Sequence, residues 1–460
     1  MPSSQLAPRR LVTTIFLLGT WGVLANLATA DEPAQRTLTL AEALRIARAQ
    51  QPTLRQAQGA RALTEAQADV ARAALLPQVY GTGTYARATA NFVAQPGTLP
   101  RTIDTGAGGS SGTAATAAGP SAYQTYPFWR LGVTATQLLW DFGQTPNRWR
   151  STTAAAEAQA LSVHVTEAQV ALNLRVAFFT ARAARDLVGV ARDTLGNLEK
   201  HLAQIQGFVE LGKNPEIDLT QARADLANGR VQVINAENTY DVARAQLNLA
   251  MGVEGGLDYQ LSDDGLAAVE GEDTTAETLE SEAVKARPEL GSLRLLATSQ
   301  DLGLRSAREG HLPSLGLTAS LTDVGPALNN LTWNWSGALV LSVPLFLGGQ
   351  INAQIREAEA QAVQIRAQLD LEHQQVRLEI QQARLGVRAA KTVIASADDA
   401  LANTRERLRL AEGRYRTGVG SVIELGDAQV AQTAAAAQRV QAEYQLFTAR
   451  AQLLKAVGRP

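Results

Sequence analysis

The chain has no cysteine among its 460 residues. This absence excludes disulfide bonds, zinc–thiolate sites and a cysteine nucleophile, and it also argues against a lipid-bearing cysteine at a processed amino terminus. Aromatic residues make up only 5% of the chain, so an aromatic-rich core is not expected. The formal net charge is −2 and no basic run follows the first ten residues, which argues against nucleic acid as a partner.

Support for a metal site or a catalytic site is also missing. The four histidines lie far apart in the chain, at His164, His201, His311 and His373. They are expected to be ordinary helix-surface residues, with no metal and no cofactor. No nucleophile motif or phosphate loop occurs, because the glycines of segment 81–83 lie within a predicted strand and no helix follows them. The sequence therefore predicts that the protein is not an enzyme.

Only the amino-terminal region has an apolar run long enough to suggest a membrane segment. Arg9 and Arg10 precede the apolar residues 11–27, and Ala28-Thr29-Ala30 with Asp31-Glu32 follows them. This order is typical of a cleaved secretory signal, so residues 1–30 are predicted to be a signal peptide, with a retained membrane anchor as the alternative. No later stretch reaches the ~20 apolar residues of a spanning helix. An exported chain of this kind would have to cross a membrane with β-strands.

An internal repeat organises the rest of the chain. Leu76-Pro77 matches Leu312-Pro313 at an offset of 236 residues (312 − 76), and residues 243–247 match residues 449–453 at an offset of 206 (449 − 243). The first copy therefore contains 30 extra residues (236 − 206), which we assign to a Gly- and Ser-rich loop at about 91–122. We divide the mature chain into a first repeat (31–252), an inter-repeat linker (253–276) and a second repeat (277–460).

Both repeats are predicted to contain the same elements in the same order. A helical stretch comes first, then a strand hairpin, a very long helix and a final helix. The predicted ranges are 39–75, 78–85, 129–140, 146–211 and 217–251 in the first repeat, and 277–311, 314–321, 333–345, 351–417 and 422–457 in the second. A helix of ~66 residues would measure close to ~100 Å. Within the first long helix, apolar residues between 168 and 209 recur about every ~3.7 residues, which suits a nearly straight helix in a many-helix wall.

The last predicted strand has one apolar face and one small or polar face. Trp333, Trp335, Leu339 and Leu341 alternate with residues such as Ser336. In a soluble sandwich a second sheet would cover the apolar face, but the sequence predicts only four strands. In a membrane the apolar face would contact lipid and the other face would contact water. Four strands cannot close a barrel and an open edge is not tolerated in lipid, so insertion would require an oligomer, and three copies would supply twelve strands.

Together these features resemble the TolC-like outer-membrane efflux proteins, the outer membrane factor family. The resemblance rests on the signal peptide, the tandem repeats, the Leu-Pro junctions, the glycine turns at Gly143 and Gly349, and above all the duplicated motif at 211–219 and 417–425. It covers essentially the whole mature chain. It implies a mainly α fold with a small β part, in which a homotrimeric outer-membrane β-barrel with four strands per protomer continues into a long periplasmic α-helical barrel.

The resemblance also implies a function and partners. The chain would be the exit duct of a tripartite efflux or type I secretion system, a passive conduit for drugs, metals or proteins across the periplasm and outer membrane of a Gram-negative cell. It would bind a periplasmic adaptor protein and an inner-membrane pump, and its strands would contact outer-membrane lipid. The alternative is a periplasmic coiled-coil adaptor or a structural envelope protein, although neither explains the duplicated strand pairs with aromatic ends.

Candidate site residues follow from the closed periplasmic end of the family. Members hold the helices inward there with acidic residues and a Tyr–Arg pair. The resemblance implies a periplasmic gate formed by Asp218, Tyr415, Glu424 and Asp427. The alternative role for each charge is that of a solvated residue at a helix end.

One position departs from the family pattern. Gly420 stands where well-known members have the arginine of that pair, so Arg414 or Arg416 would have to replace it. The glycine turns at Gly212 and Gly418 are expected to be the tips that contact the adaptor.

Overall fold

A computed structural model of the chain describes residues 36–89, 125–212, 215–256 and 259–459. The predicted signal peptide (1–30) and the predicted extra loop (91–122) lie outside the described residues. In chain order the elements are β1 (Arg36–Leu38), α1 (Leu40–Gln50), α2 (Pro52–Ala73), β2 (Gln78–Thr89), β3 (Thr125–Trp140), α3 (Gln144–Glu210), α4 (Glu216–Met251), β4 (Tyr259–Leu261), α5 (Ala276–Ala286), α6 (Pro288–Glu309), β5 (Ser314–Ala327), β6 (Asn330–Ser342), α7 (Gln350–Arg416) and α8 (Val422–Val457).

The sequence repeat is also a repeat of helix lengths. Helices α3 and α7 each contain 67 residues, and α4 and α8 each contain 36. The prediction of a single helical stretch at the start of each repeat is wrong, because each stretch consists of two helices, of 11 and 22 residues. The break falls at Gln51 and at Arg287, whose backbones are extended with ψ of 119° and 122°. Each of them precedes a proline, which disfavours the helical conformation in the residue before it.

Four long antiparallel strands form one sheet in the order β2-β3-β5-β6. They contain 12, 16, 14 and 13 residues, so the two predicted hairpins exist, but each of the four strands extends beyond its predicted range at one end, and β6 also ends three residues earlier than predicted. The chain also has two strands that were not predicted, β1 and β4, which pair in parallel at Arg36↔Tyr259. Three residues are too few for an alternating pattern to be visible in the sequence.

The register of the sheet separates an apolar face from a polar face. On the apolar face Leu339 is opposite Leu317, and Trp335 is opposite Leu321, which in turn is opposite Val133. On the other face most residues are small or polar, and the hydroxyl oxygens of Ser320 and Ser336 on neighbouring strands are 2.7 Å apart. Aromatic residues lie at both ends of the apolar face. Tyr85, Trp129 and Trp333 lie at one end, and Trp140 lies at the other end, where its ring contacts Phe142 just after β3. Alternation along each strand therefore produces two chemically different surfaces.

Helix α3 is the central strut of the protomer. It packs against α2 and α6 along one half and against α4 and α8 along the other, while α7 packs against α6 and α8. In the predicted apolar stripe of α3, Phe179 and Ile205 are buried and the other residues are only half-buried. Leu174 and Phe178, outside that stripe, are among the most buried side chains. Burial extends beyond one stripe because α3 has neighbours on more than one side. Within the described ranges, none of the helices has both the length and the apolar character to cross a membrane.

Basic side chains attach the segment around β4 to the long helices. From α3, Arg182 donates to the carbonyl oxygen of Asp264 at 2.9 Å and Arg185 donates to that of Leu261 at 2.7 Å. From α8, Arg450 donates to the carbonyl oxygen of Leu266 at 3.0 Å. These bonds satisfy carbonyl groups that the short β1–β4 pair cannot satisfy, and they tie the linker to both repeats.

Candidate functional site

The candidate site is the pair of helix turns that joins α3 to α4 and α7 to α8. Gly212 and Gly418 occupy the turns with φ of +66° and +78°, the left-handed conformation common just after a helix end. At the second turn the amide of Gly418 donates to the carbonyl oxygen of Tyr415 at 3.1 Å, and that of Val419 donates to Arg414 at 3.1 Å. A Cβ atom at either glycine would meet no neighbouring atom. The backbone conformation therefore explains both glycines, and the space directly beside each of them is open.

The side chain of Ser421 caps the start of helix α8. The side chain of Ser421 accepts a hydrogen bond from the amide of Glu424 at 3.1 Å, three residues later. The carboxylate of Glu424 lies 3.2 Å from Nε of Arg414, at the end of α7. Arg416 instead points Nε at the carbonyl oxygen of Glu412, at 3.4 Å. Of the two possible replacements for the family's arginine, Arg414 forms an ion pair with Glu424, one of the acidic candidate residues.

Gly420 is in close contact with the end of α7. A Cβ atom at this position would lie 3.0 Å from Cβ of Arg414 and 3.0 Å from the backbone nitrogen of Tyr415. Distances this short require the backbone to move. An arginine at this position would not fit the turn as it is, so the tight turn and the missing arginine have one structural explanation.

Tyr415 is buried in an apolar cluster at the tip. It is only 5% exposed and packs with Ile205, Leu425 and other small and apolar residues of α3, α4 and α8. Its ring contacts His201 with centroids 5.5 Å apart and an interplanar angle of 63°, and it contacts Phe208 at 6.0 Å. Tyr415 therefore connects the two helix pairs of the tip through direct ring contacts.

The prediction that the histidines are surface residues is wrong for His201. Its side chain is buried, and burial lowers the pKa of His201 from 6.5, with a smaller opposing effect from Asp225. The sequence contained a signal for this contact, because His201 lies four residues before Ile205 and so shares its helix face. An uncharged imidazole suits the apolar cluster, whereas a charged one would be costly there.

The two remaining acidic residues lie near this cluster in different surroundings. Asp218 is in the first turn of α4, where its amide donates to the carbonyl oxygen of Pro215 at 3.2 Å, and the next residue, Leu219, packs on the Tyr415 cluster. Asp427 lines a groove of about 700 Å³ between α4 and α8, over α3, together with Asp225. The structure thus brings Asp218, Tyr415 and Glu424 to one end of the protomer, with Asp427 one turn further along α8.

Across the residues that the structure describes, no group of three or more His, Cys, Asp or Glu side chains could hold a metal ion.

A protein-family model decides the family. The model described as "Outer membrane efflux protein" matches residues 43–253 and 279–459. The chain belongs to the outer membrane efflux protein family. Its similar relatives include the toluene efflux pump outer membrane protein TtgC of Pseudomonas putida, which is 24% identical over 85% of this chain and 77% of the relative. The outer membrane protein TolC of Escherichia coli is 27% identical over 52% of this chain, and the chain spans about half of its length, 50%.

A solved structure supports the same fold. The outer membrane protein VceC of Vibrio cholerae has a TM-score of 0.77 at 16% identity, over 91% of this chain and 96% of VceC. The predicted family and fold class are confirmed, with a mainly helical protomer and a small four-stranded sheet. The predicted location is also confirmed. This efflux protein resides in the outer membrane and extends into the periplasm, and its family consists of channel proteins.

Proposed function

We propose that this efflux protein is the outer-membrane exit duct of a tripartite efflux or type I secretion system, and that it acts as a passive conduit and catalyses no reaction. The observation that carries the proposal is the two-faced sheet, in which the outer edges of β2 and β6 have no partner strand among the described residues. A large exposed apolar face marks a surface that contacts lipid or another protein, and in a protein of the outer membrane lipid is the contact that suits it. Names of relatives refer to toluene and antibiotics, which makes small apolar solutes reasonable cargo.

The unpaired edges support a homotrimer. Lipid cannot hydrogen-bond to the free N–H and C=O groups of β2 and β6, so each edge needs a strand from another protomer. Three protomers would close a twelve-stranded barrel, within the size range of membrane barrels that leave a lumen. The apolar face would then contact outer-membrane lipid and the Ser- and Thr-rich face would contact water. A periplasmic coiled-coil adaptor stays in water, so it would not be expected to contain a sheet with one exposed apolar face.

The helix turns support a gate at the periplasmic end. In this proposal the mouth of the helical barrel is controlled by Asp218, Tyr415, Glu424 and Asp427. Arg414 is their basic partner, in place of the arginine that other family members have at the position of Gly420. Three copies of Glu424 and Asp427 around the axis would gather negative charge in a narrow ring and attract cations. The buried ring of Tyr415 would hold the two helix pairs of each protomer together in the closed state.

The outer surfaces of the two turns support docking of partners. Ile217 and Ile423, at equivalent places after Gly212 and Gly418, are 73% and 75% exposed. Paired apolar side chains on both tips would suit the helical end of a periplasmic adaptor, which in turn would connect the duct to an inner-membrane pump. We also keep the division into two repeats (31–252 and 277–460) and a linker (253–276) as part of this proposal.

A pair of arginine substitutions tests the membrane orientation of the sheet. Leu339 lies on the apolar face of the sheet. Its neighbour Ala338 lies on the polar face, where it pairs with Thr318 of β5. Leu339→Arg should destabilise insertion by roughly 2–4 kcal/mol, whereas Ala338→Arg should be tolerated in a water-filled lumen. Unheated gels of outer-membrane fractions should show an SDS-resistant trimer for wild type and Ala338→Arg, and a depleted trimer for Leu339→Arg. A wild-type protein that fractionates as a periplasmic monomer would refute the proposal.

A further inference from the structure

The protomer has two free sides that continue from the sheet into the helices. At the sheet, the outer edges of β2 and β6 have no partner strand among the described residues. Helix α2 leads into β2, and β6 leads into α7. The extensive packing of α3 is with helices of both repeats, whereas that of α7 is with α5, α6 and α8, all from its own repeat. One side of α7 is therefore uncovered in the part of the chain that the structure describes.

An apolar stripe runs along the uncovered side of α7. Its leucines recur every seven residues and are 53%, 56% and 56% exposed, at Leu371, Leu378 and Leu385. The offset of 206 gives each of them a counterpart at the same position of α3. The counterpart of Leu385 is Phe179, which is buried and stacks on Phe447 of α8 with ring centroids 4.9 Å apart. Helix α7 thus exposes a face whose counterpart in α3 is covered within the protomer.

Helix α2 also exposes a face that its counterpart buries. Leu63 and Val70, seven residues apart, are 59% and 73% exposed. At the offset of 236 their counterparts are Ser299 and Ser306 of α6, and both serines are buried and donate hydrogen bonds to α3. In the second repeat α3 covers this helix face, and in the first repeat nothing among the described residues covers it.

The packing of α6 on α3 has a regular antiparallel register. Three serines of α6, spaced by seven residues, each donate to a carbonyl oxygen of α3, at 2.9, 2.8 and 2.8 Å. The pairs are Ser292 with Ala158, Ser299 with Ser151, and Ser306 with Gln144. The two offsets convert these pairs into residues of α2 and α7 that are all exposed, namely Gln56 with Gln364, Leu63 with Glu357, and Val70 with Gln350.

An exposed charge on α7 fits the same rule. Inside the protomer Arg182 of α3 donates to Glu443 of α8 at 2.8 Å, and Glu443 also pairs with Arg439. The offset of 206 converts the first pair into Arg388 of α7 and Glu237 of α4. Arg388 is exposed and forms no ion pair among the described residues. Glu237 has one arginine partner there, where its counterpart has two. Both side chains can therefore accept a further partner of opposite charge.

We propose that α7 packs on α2 and α4 of the next protomer in the register that α3 uses on α6 and α8 inside the protomer. We call this contact the seam. The seam covers the apolar faces of α7 and α2, and Arg388 pairs with Glu237 of the next protomer. The step from the first repeat to the second is repeated from the second repeat to the next protomer, so the head-to-tail contact closes a ring. One partner copy thus covers the free helix side and the free strand edge together.

This proposal rests on the homotrimer of the proposed function and adds which residues meet in it. Engineered disulfides test the register, because the natural chain has no cysteine. After oxidation, Leu63→Cys combined with Glu357→Cys should run mostly as covalent dimer and trimer on heated, non-reducing gels of outer-membrane fractions. Gln56→Cys combined with Gln368→Cys is a second pair. For both pairs, the hydroxyl oxygens of the counterparts inside the protomer are 3.2 Å apart.

Two matched cysteine pairs serve as controls. Ser151→Cys with Ser299→Cys is the counterpart pair inside the protomer, so its disulfide should form within one chain and leave a monomer band. Leu63→Cys with Gln350→Cys is shifted by seven residues, or ~10 Å along a helix. A disulfide requires Cα atoms within ~7 Å, so the shifted pair should also stay monomeric on the heated gel.

A charge exchange tests the ion pair of the seam. Arg388→Glu and Glu237→Arg should each lower the temperature at which the SDS-resistant trimer dissociates, because each places like charges opposite one another. The double variant should restore the wild-type temperature. Arg405→Glu is the control and should leave this temperature unchanged, since the counterpart of Arg405 in α3, Glu199, is exposed and faces no partner helix.

The outcomes separate the seam from the trimer itself. If wild type is an SDS-resistant trimer but the pair at 63 and 357 stays monomeric, or the shifted pair cross-links equally well, the register is wrong and the trimer stands. Failure of the double charge variant to recover would refute the ion pair. Absence of a trimer in wild type would overturn both the seam and the proposed function.

Discussion

Glu272 holds the inter-repeat linker against the long helices through a buried set of charged contacts. The residue is 6% exposed, and its carboxylate accepts from Nε of Arg450 at 3.1 Å and from the amide of Val269 at 3.0 Å. Nζ of Lys391 lies 2.7 Å away. Burial by itself would raise the pKa of Glu272, but the hydrogen bonds from Arg450, Lys391 and Val269 lower the pKa to about 2, from 4.5. The charged form is therefore strongly favoured in the folded linker.

The lowered pKa of Glu272 determines how much its charged contacts stabilise the fold and over which pH range they do so. A difference of roughly 2.5 pKa units corresponds to about 3 kcal/mol, and we reduce this to about 2 kcal/mol because Lys391 is partly exposed to solvent. Since the pKa is lower in the folded state, this stability is fully present above about pH 4.5 and is lost as the pH falls towards 2. Glu272→Gln should remove about the same stability at pH 7, because Arg450 then loses its carboxylate partner.

Hydrogen–deuterium exchange of the linker measures this stability directly. Two kcal/mol corresponds to roughly a 30-fold loss of protection in residues 259–276 of Glu272→Gln at pH 7. After correction for intrinsic rates, wild type should lose similar protection between pH 4.5 and 2, and the variant should show no such change. Glu270→Gln, an exposed carboxylate two residues away, is the control. Unchanged protection in Glu272→Gln, or an equal loss in Glu270→Gln, would refute the reasoning.

Four further predictions concern the tip. Glu424→Ala combined with Asp427→Ala should weaken cation selectivity and cation block in planar bilayers. Tyr415→Ala should raise the conductance, because it removes the ring contacts with His201 and Phe208. Wild-type behaviour in both variants would show that these residues do not gate the channel. Gly420→Ala should destabilise the turn by about 1–3 kcal/mol because its Cβ would crowd the end of α7, which faster limited proteolysis at the tip would report. Burial lowers the pKa of His201, so the stability of the tip should be complete above pH 6.5 and should fall as the pH drops below that value. Acid should therefore raise the conductance of the wild-type channel but not that of His201→Phe.

Features that depend on neighbouring residues along the chain were accessible from the sequence. The 67-residue helices were predicted to within two residues at either end, and α8 was predicted at its observed bounds, because glycine turns and the Ser421 cap are local signals. The face pattern of β6 was also accessible, since alternation has a period of two residues. The helix break at Gln51 was missed although Pro52 was visible, because proline is tolerated at the first position of a helix as well as after the end of one.

The amino-acid sequence by itself determined the tandem architecture, the family and the two faces of the sheet, because periodicity, proline and glycine act within a few residues of the chain. Only the tertiary structure decided that His201 is buried on Tyr415, that Arg414 and not Arg416 pairs with Glu424, and that Glu272 is buried against Arg450 and Lys391. Each of these depends on which faces of helices far apart in sequence come into contact. Two repeats with nearly the same sequence pattern can therefore differ in how their helices pack, because packing depends on the shapes and charges of the side chains in contact and not on helix periodicity.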